Sequence, residues 1–426
     1  MDPVTHGAVG IAAALSIVAS KQPRASTKTK WAAALCGLAA GELPDADRVF
    51  DACFHWYGPA GGGLAYMLYH RGPLHTVVFC VIASLGLAWL TQRFARRLEP
   101  PPSSLLFVIA TAGSLLHLAM DATNDYGVHP LYPYQRWFYG DFLFLAEPTV
   151  SAALLPYIFV MLGKDEPKLV RRRVAMAFAA GLLFMACEHD WIQPFGVVLT
   201  SLWLVPQALL QLKGPRPRIA WASLLLVLLC FFACSRIARA RGVQWATQMA
   251  AGGASTFDIV TTPAPGNPFC WRVITVSRAQ DAFDVRLGIT SLWSPFVRDT
   301  DCFSPPNGPA PHAACGIALP KPTEVAVDGA TILELAAFSG RVSTFEQMAR
   351  DNPRVSATRH FLRAPFWGED ARKGASQCTP SQLLIGDLRV DYNPEDVEHF
   401  SKYSFAPKKS EPYEQRMPVG DAPFFR

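Results

Sequence analysis

The chain has 426 residues, of which half are hydrophobic and only 17% are charged, and its formal net charge is +5. This length allows two domains, and the absence of a basic stripe interleaved with aromatic residues argues against nucleic acid as a partner. The averages hide a division within the chain. The first half is strongly apolar, whereas the rest is polar and rich in Pro and Gly.

The N-terminus reads Met-Asp-Pro-Val-Thr-His and lacks the positively charged start of a signal peptide. We therefore expect the apolar stretch from Gly7 to Ser20 to be retained. It is short for a complete membrane span, so we expect it to end below one membrane surface.

Apolar segments predict a mostly α-helical, polytopic membrane domain of about eight helices over residues 1–240. The run from Leu224 to Ala233 is apolar on every side, as expected for a helix that faces lipid. The predicted helices cover residues 5–20, 31–43, 74–92, 104–122, 143–162, 173–190, 194–212 and 218–239.

Basic residues are concentrated in alternate connections between these helices. They occupy residues 21–30, 93–97, 164–173 and 213–218, after the first, third, fifth and seventh predicted helices. The positive-inside rule makes these loops cytoplasmic and places the N-terminus and the C-terminal domain outside. Three arginines within residues 236–241 oppose this orientation, but four loops agree on it.

Residues 241–426 predict a small β-rich domain outside the membrane, with a loose tail. Residues 271–277 and 283–289 alternate between apolar and polar side chains as strands do. Four cysteines of this domain predict two disulfides with three possible pairings, and the alternative is four reduced buried thiols. They are Cys270, Cys302, Cys315 and Cys378. The other cysteines lie in or near apolar helices and are interpreted as packing residues.

Ionisable side chains gather at the predicted helix ends, and the predicted orientation puts all of them at the outer face. Because the orientation was derived from Lys and Arg alone, this clustering is an independent agreement. The residues concerned are His6, Asp45, Asp47, His70, His75, His117, Asp121, Asp141 and Glu147.

This cluster predicts a metal site. A carboxylate in a bilayer is costly unless it is paired or ligated. His117 and Asp121 are four residues apart and therefore share one face of a helix, while Asp45 and Asp47 could converge on one ion or bridge two. Imidazole and carboxylate ligands favour zinc, with manganese or iron as alternatives. The ligands outnumber the needs of one tetrahedral ion, which indicates two or more ions.

Each signal also has a plain structural explanation. A single His at a helix end is usually solvated or caps the helix, and Asp45 and Asp47 could be ordinary loop residues. Arg71 could hold a phosphate oxygen through its planar fork or pair with Asp47. We interpret His129 as a surface residue and residues 188–190 as a solvated helix end. The convergence of five elements on one face favours the metal site.

Six motifs occur in a fixed order along residues 1–150. They are Thr5–Gly7, Leu43–Asp47, His70–Thr76, His117–Asp121, Tyr126–Gly127 with Pro130, and Asp141–Pro148. As an ordered set they resemble the YdjM/YbcI family of membrane-bound metal-dependent hydrolases of the bacterial inner membrane. Glu147 stands where that family more usually has Asp.

That family is similar to zinc-dependent phospholipase C and related nucleases, which are helical and use several zinc ions. The resemblance implies phosphoester hydrolysis by metal-activated water. The expected position of the site at the outer membrane–water boundary suits a lipid or lipid-linked substrate. Candidate catalytic residues are Asp47, Arg71 and Asp141, with Asp47 or Asp141 as general base. The implied metal ligands are His6, Asp45, His70, His75, His117, Asp121 and Glu147.

Two other functions remain compatible with the sequence. A transporter usually has its polar site near the membrane midplane on broken helices, whereas these residues lie at helix ends. A non-catalytic protein could use the metal only to join helix ends. Catalysis needs an open coordination position, which a sequence does not reveal.

Overall fold

The computed structural model describes most of the membrane part and the body of the C-terminal domain. The described residues are 2–46, 71–134, 136–163, 193–249, 255–303, 323–351, 356, 362–369 and 383–389. Within them lie eight α-helices, seven of which precede the first strand, and seven strands in two antiparallel sheets. This agrees with the broad prediction of a helical bundle followed by a β-rich domain. The predicted helix at 173–190 lies outside the described residues.

The seven helices before the first strand are α1 (Pro3–Lys21), α2 (Thr27–Glu42), α3 (Val77–Phe94), α4 (Ser103–Asp121), α5 (Pro148–Leu162), α6 (Pro194–Leu212) and α7 (Pro217–Met249). Five of the described helices are long and apolar enough to cross a membrane, namely α1, α3, α4, α6 and α7, while α5 is apolar but shorter.

Two helix boundaries differ clearly from the prediction. Helix α5 begins at Pro148 instead of residue 143, because Glu147 caps it and Pro occupies its first position. Helix α7 continues to Met249 instead of ending at residue 239, because its last turns pack on the C-terminal sheet. Those turns are polar, so hydropathy gave no sign of them.

Glycines allow α1 and α2 to approach to backbone contact. A Cβ built on Gly10 would overlap the carbonyl oxygen of Gly37, and one on Gly41 would lie 2.5 Å from the carbonyl oxygen of His6. A Cβ on Gly113 of α4 would similarly lie 2.8 Å from Ala40. Small residues at such crossings permit tight packing of membrane helices. This packing brings the start of α1, the end of α2 and the end of α4 together.

We expect Gly10→Ala to destabilise the protein by about 1–3 kcal/mol, because the added methyl meets immovable backbone at the α1–α2 crossing. Gly86→Ala in α3 is the matched control, since nothing lies within 4 Å of a Cβ at that position. The control is expected to be neutral or slightly stabilising, because Ala is favoured over Gly in a helix. Thermal unfolding in detergent measures both, and equal effects would contradict the close crossing.

The described strands of the C-terminal domain are β1 (Ser255–Ala264), β2 (Asn267–Ala279), β3 (Ala282–Ser291), β4 (Thr323–Val327), β5 (Ala330–Arg341), β6 (Pro365–Glu369) and β7 (Leu383–Asp387). Five of them form an antiparallel sheet in the order β1-β2-β3-β5-β4, and β6 pairs with β7. The predicted strands at 271–277 and 283–289 lie within β2 and β3. Helix α8 (Val342–Asp351) follows β5.

One disulfide is present among the described residues, between Cys270 in β2 and Cys302. Two of the four cysteines considered from the sequence are thereby paired, while Cys315 and Cys378 lie outside the described residues. The described cysteines of the membrane part are reduced and buried or half-buried, as expected for packing residues. They are Cys36, Cys80, Cys230 and Cys234.

Helix α7 joins the bundle to the sheet without interruption. A Cβ on Gly242 would lie 2.7 Å from Val273 and 2.9 Å from Ile259, so the helix backbone rests on the sheet face. Trp245 is fully buried and lies close to Gly288. The sheet domain is therefore joined to the bundle by the packing of α7 on the sheet as well as by the covalent chain.

The turn between β1 and β2 docks against the start of α5. The backbone N–H of Gly266 donates to the carboxylate of Glu147, at 3.2 Å from Oε1 and 3.3 Å from Oε2. The same carboxylate caps α5 by accepting from the N–H and hydroxyl of Thr149, at 3.1 and 2.6 Å. Burial raises the pKa of Glu147 to about 7.

This pKa predicts a pH-dependent stability. Because the pKa of Glu147 is raised from its ordinary 4.5, its favourable contribution to the free energy of unfolding is complete below about pH 4.5 and is lost as the pH rises through 7. Glu147→Gln keeps the acceptor without the charge. The variant should match wild type at pH 4 and exceed it at pH 8, with the gap widening by up to about 1.4 kcal/mol per pH unit between about pH 4.5 and 7 and staying constant at higher pH. Unfolding in detergent at several pH values checks this, and parallel pH curves would contradict it.

Candidate metal centre

Four helix ends bring the predicted ligands together. His6 lies in the first turn of α1, Asp45 follows the end of α2, and His75 lies two residues before α3, while His117 and Asp121 lie in the last turns of α4. All five side chains are buried, with Asp45 the most exposed at 9%. Local sequence sets the start of α1 and hence the position of His6, because α1 is capped by Asp2, whose Oδ1 accepts from the Thr5 N–H at 3.1 Å.

Three of these side chains have the spacing of metal ligands. His117 Nε2 lies 3.3 Å from His75 Nε2 and 3.4 Å from Asp121 Oδ2, and His75 Nε2 lies 3.5 Å from the same oxygen. Ligand atoms of a tetrahedral zinc site, with bonds of about 2.0–2.1 Å, are separated by about 3.3–3.4 Å. The three atoms therefore match one face of such a tetrahedron, and both nitrogen and oxygen are atoms that bind zinc in proteins.

The orientation of His117 is set by the end of α2. Its Nδ1 lies 2.6 Å from the carbonyl oxygen of Gly41. Since a carbonyl only accepts, Nδ1 carries the proton, and in the neutral ring Nε2 presents its lone pair to the other two ligand atoms. A backbone carbonyl in this role is typical of histidines that bind metals.

Asp45 and His6 complete the cluster. Asp45 Oδ1 lies 3.2 Å from His75 Nε2 and 3.9 Å from His117 Nε2. His6 stacks on the His117 ring at a centroid distance of 3.6 Å, and its Nε2 lies 3.4 Å from Asp121 Oδ1. His6, Asp45 and His117 form a second group whose ligand atoms lie within 4.8 Å of one another. Both groups share His117, which has a single available nitrogen, so the two groups cannot both be complete at once.

Arg71 binds the ligand candidate Asp121 and the loop that follows it. Its Nη2 donates to Asp121 Oδ1 at 3.0 Å, and its Nη1 donates to Asn124 Oδ1 at 3.2 Å and to the Gly127 carbonyl. The structure shows an ion pair between Arg71 and Asp121, whereas the sequence analysis considered a phosphate oxygen or Asp47 as the partner of Arg71. Asp47 lies outside the described residues. The sequence analysis did not single out Asn124, although an Asn three residues after Asp121 in a turn is a recognisable signal.

Asp141, considered as a catalytic residue, lies in an ion pair with the C-terminal domain. Arg363 Nη1 and Nη2 donate to its two carboxylate oxygens at 2.7 and 2.9 Å. Arg363 also binds Asp258 at 2.9 Å. Although burial acts to lower the pKa of Arg363, the two carboxylates raise it well above its ordinary value. The structure thus engages Asp141 outside either ligand group, and the sequence gave no sign of Arg363 as its partner.

Glu147, considered as a ligand, also lies outside both groups. Its oxygens accept the hydrogen bonds from Thr149 and Gly266 described above. The interpretation of His129 as a surface residue is wrong, because its side chain is buried, with Nε2 2.6 Å from the Tyr134 carbonyl oxygen and its ring stacked on Trp137.

Three further predictions of the sequence analysis cannot be placed. Asp47, His70 and residues 188–190 lie outside the described residues.

Comparison with known families agrees with the motifs. Residues 1–192 match the family model described as YdjM inner membrane protein. The match includes all five clustered side chains and extends past residue 150, where the recognised motifs end. No curated protein and no solved structure matches the chain significantly. Residues 1–192, which carry the candidate metal centre, are therefore similar to the YdjM inner membrane protein family.

Proposed function

We propose that this protein is a membrane-bound metal-dependent hydrolase that cleaves a phosphoester, with a lipid or lipid-linked molecule as substrate. The observation that carries the proposal is the set of three ligand atoms on His75, His117 and Asp121, separated by 3.3–3.5 Å. A shared ion accounts for two imidazole nitrogens and one carboxylate oxygen at these mutual distances.

His75, His117 and Asp121 would hold the ion, with Asp45 as the fourth ligand or as a neighbour of the open position. Imidazole and carboxylate donors favour zinc over manganese or iron. Such an ion supplies Lewis acidity, which makes water a competent nucleophile near neutral pH. A second ion would need His6 and Asp45 together with a ligand other than His117.

Other residues of the chain orient these groups. Arg71 fixes Asp121 Oδ1, which leaves Oδ2 directed at the two imidazoles. Both oxygens of Asp141 are held by Arg363, so we assign Asp141 no role in proton transfer. Asp47 remains our candidate for the general base.

The position of the cluster supports a lipid or lipid-linked substrate. The cluster lies at the ends of α1 and α4, both apolar enough to cross a membrane, and hence near a membrane–water boundary. The alternating basic loops favour the outer boundary. The Cys270–Cys302 disulfide supports this orientation, because disulfides persist outside the cytoplasm.

A structural metal is the second candidate. All five clustered side chains are buried, and structural zinc sites are closed whereas catalytic sites keep an open position. In that case metal binding would be part of the folding free energy.

Asp45→Asn distinguishes the two candidates, because Asn keeps the shape of the side chain without the charge that holds a divalent ion. We expect loss of bound metal and of phosphoester turnover, with a melting temperature within a few degrees of wild type. Bound metal, melting temperature in detergent and turnover across a lipid and phosphoester panel are the measurements. Asp301→Asn, at an exposed pair with Arg298, is the matched control and should change none of them.

Lost metal with a large fall in melting temperature, and no turnover by wild type or variant, would favour the structural site. Wild-type protein that binds no divalent metal at all would contradict both candidates.

The orientation has its own test. A reporter that is active only outside the cytoplasm should be active when fused after residue 250 and silent when fused near Lys28, because the basic loops stay inside. The reverse pattern would place the cluster at the cytoplasmic face and rule out an outer-leaflet substrate.

A further inference from the structure

A short loop after Asp121 links the candidate metal centre to Arg71. We call residues 121–127 the Asp121 loop. Within it, Asn124 Oδ1 accepts from the N–H groups of Tyr126 and Gly127 at 3.0 and 3.2 Å, and from Arg71 Nη1 at 3.2 Å. Arg71 in turn donates to Asp121 Oδ1 at 3.0 Å. The loop, Arg71 and the proposed ligand therefore form one hydrogen-bonded unit, in which moving the loop moves Asp121.

The C-terminal domain holds this loop at Asp125. The hydroxyl of Thr262 in β1 donates to Asp125 Oδ2 at 2.6 Å. Arg389, directly after β7, donates from Nη1 to the Asp125 carbonyl oxygen at 2.8 Å. All three residues are buried, and buried hydrogen bonds are strong and costly to leave unmade. Side chain and backbone of Asp125 are thus fixed by two separate elements of the domain.

Tyr126 provides a second link between the domain and the cluster. The guanidinium carbon of Arg71 lies 5.5 Å from the centroid of the Tyr126 ring, and the guanidinium carbon of Arg389 lies 5.7 Å from the same centroid. Both distances are within the range of cation–π attraction. One aromatic ring therefore contacts an arginine of the metal centre and an arginine of the C-terminal domain.

We infer that Thr262 and Arg389 are positioning residues for the metal centre, which act through Asp125 on the ligand Asp121. This inference rests on the metal site of the proposed function. The region that matches the family ends at residue 192, so the domain that follows supplies part of the scaffold of a centre whose candidate ligands lie before it. Residues that orient a ligand typically change metal affinity 10–100-fold when removed. Thr262 acts through Asp125, Asn124 and Arg71, so we expect a smaller effect of about three- to tenfold.

Two neighbouring threonines of β1 give a matched test in the full-length protein. Thr262→Val removes the hydroxyl that binds Asp125. Thr261→Val removes an equally buried hydroxyl that donates to the Asp141 carbonyl at 2.7 Å, another contact between the domains that does not involve the Asp121 loop. Co²⁺ affinity in detergent and the visible absorption spectrum of bound Co²⁺ are the readouts.

Thr262→Val should bind Co²⁺ about three- to tenfold more weakly with an altered spectrum, while Thr261→Val should remain within about twofold of wild type with an unchanged spectrum. Thr262→Ser keeps the hydroxyl and should restore wild-type behaviour if Thr262→Val folds poorly. Equal effects of the two Val variants would overturn the inference, since they would indicate general packing. Unchanged Co²⁺ binding in both Val variants would overturn this inference but leave the proposed function standing. Wild-type protein that binds no Co²⁺ would overturn both the inference and the proposed function.

Discussion

The buried carboxylate of Asp121 is the constraint on which the membrane part depends. It is fully buried, and a carboxylate away from water is costly unless charges and hydrogen bonds surround it. Arg71 lies 3.0 Å from it, and His6, His75 and His117 lie within 3.5 Å. His6 and His75 belong to elements other than α4, so satisfying one carboxylate requires several helix ends to meet. The glycine contacts of α1 and α2 make that meeting sterically possible.

Much of this cluster could be predicted because its determinants are local. His117 and Asp121 share a face through helical periodicity alone, and the structure places their Nε2 and Oδ2 atoms 3.4 Å apart. His6, Asp45 and His75 were assigned to one membrane face by the distribution of basic loops, and they lie together. Strands β2 and β3 likewise followed from alternation within short segments. Periodicity and helix-end residues are properties of neighbouring positions, which a single sequence displays directly.

The candidate residues that lie outside the two ligand groups have partners far along the chain. Asp141 is bound by Arg363, 222 residues away, and Glu147 by Gly266, 119 residues away. No local pattern distinguishes a carboxylate that meets a metal from one that meets a distant arginine or backbone N–H. The last turns of α7 were not predicted for a related reason, since this polar part of the helix is stabilised by the sheet on which Gly242 and Trp245 pack.

The uninterrupted course of α7 has a consequence for how the two parts can vary. Its 33 residues span about 50 Å, well beyond the roughly 30 Å of a hydrocarbon core. One inserted residue would turn the sheet by about 100° around the helix axis and raise it by about 1.5 Å. A seven-residue insertion would nearly restore the angle but lift the sheet by about 10 Å. The contacts at Glu147, Asp125 and Asp141 therefore fix both the phase and the length of this helix, so that tolerated insertions belong in the loops of the sheet.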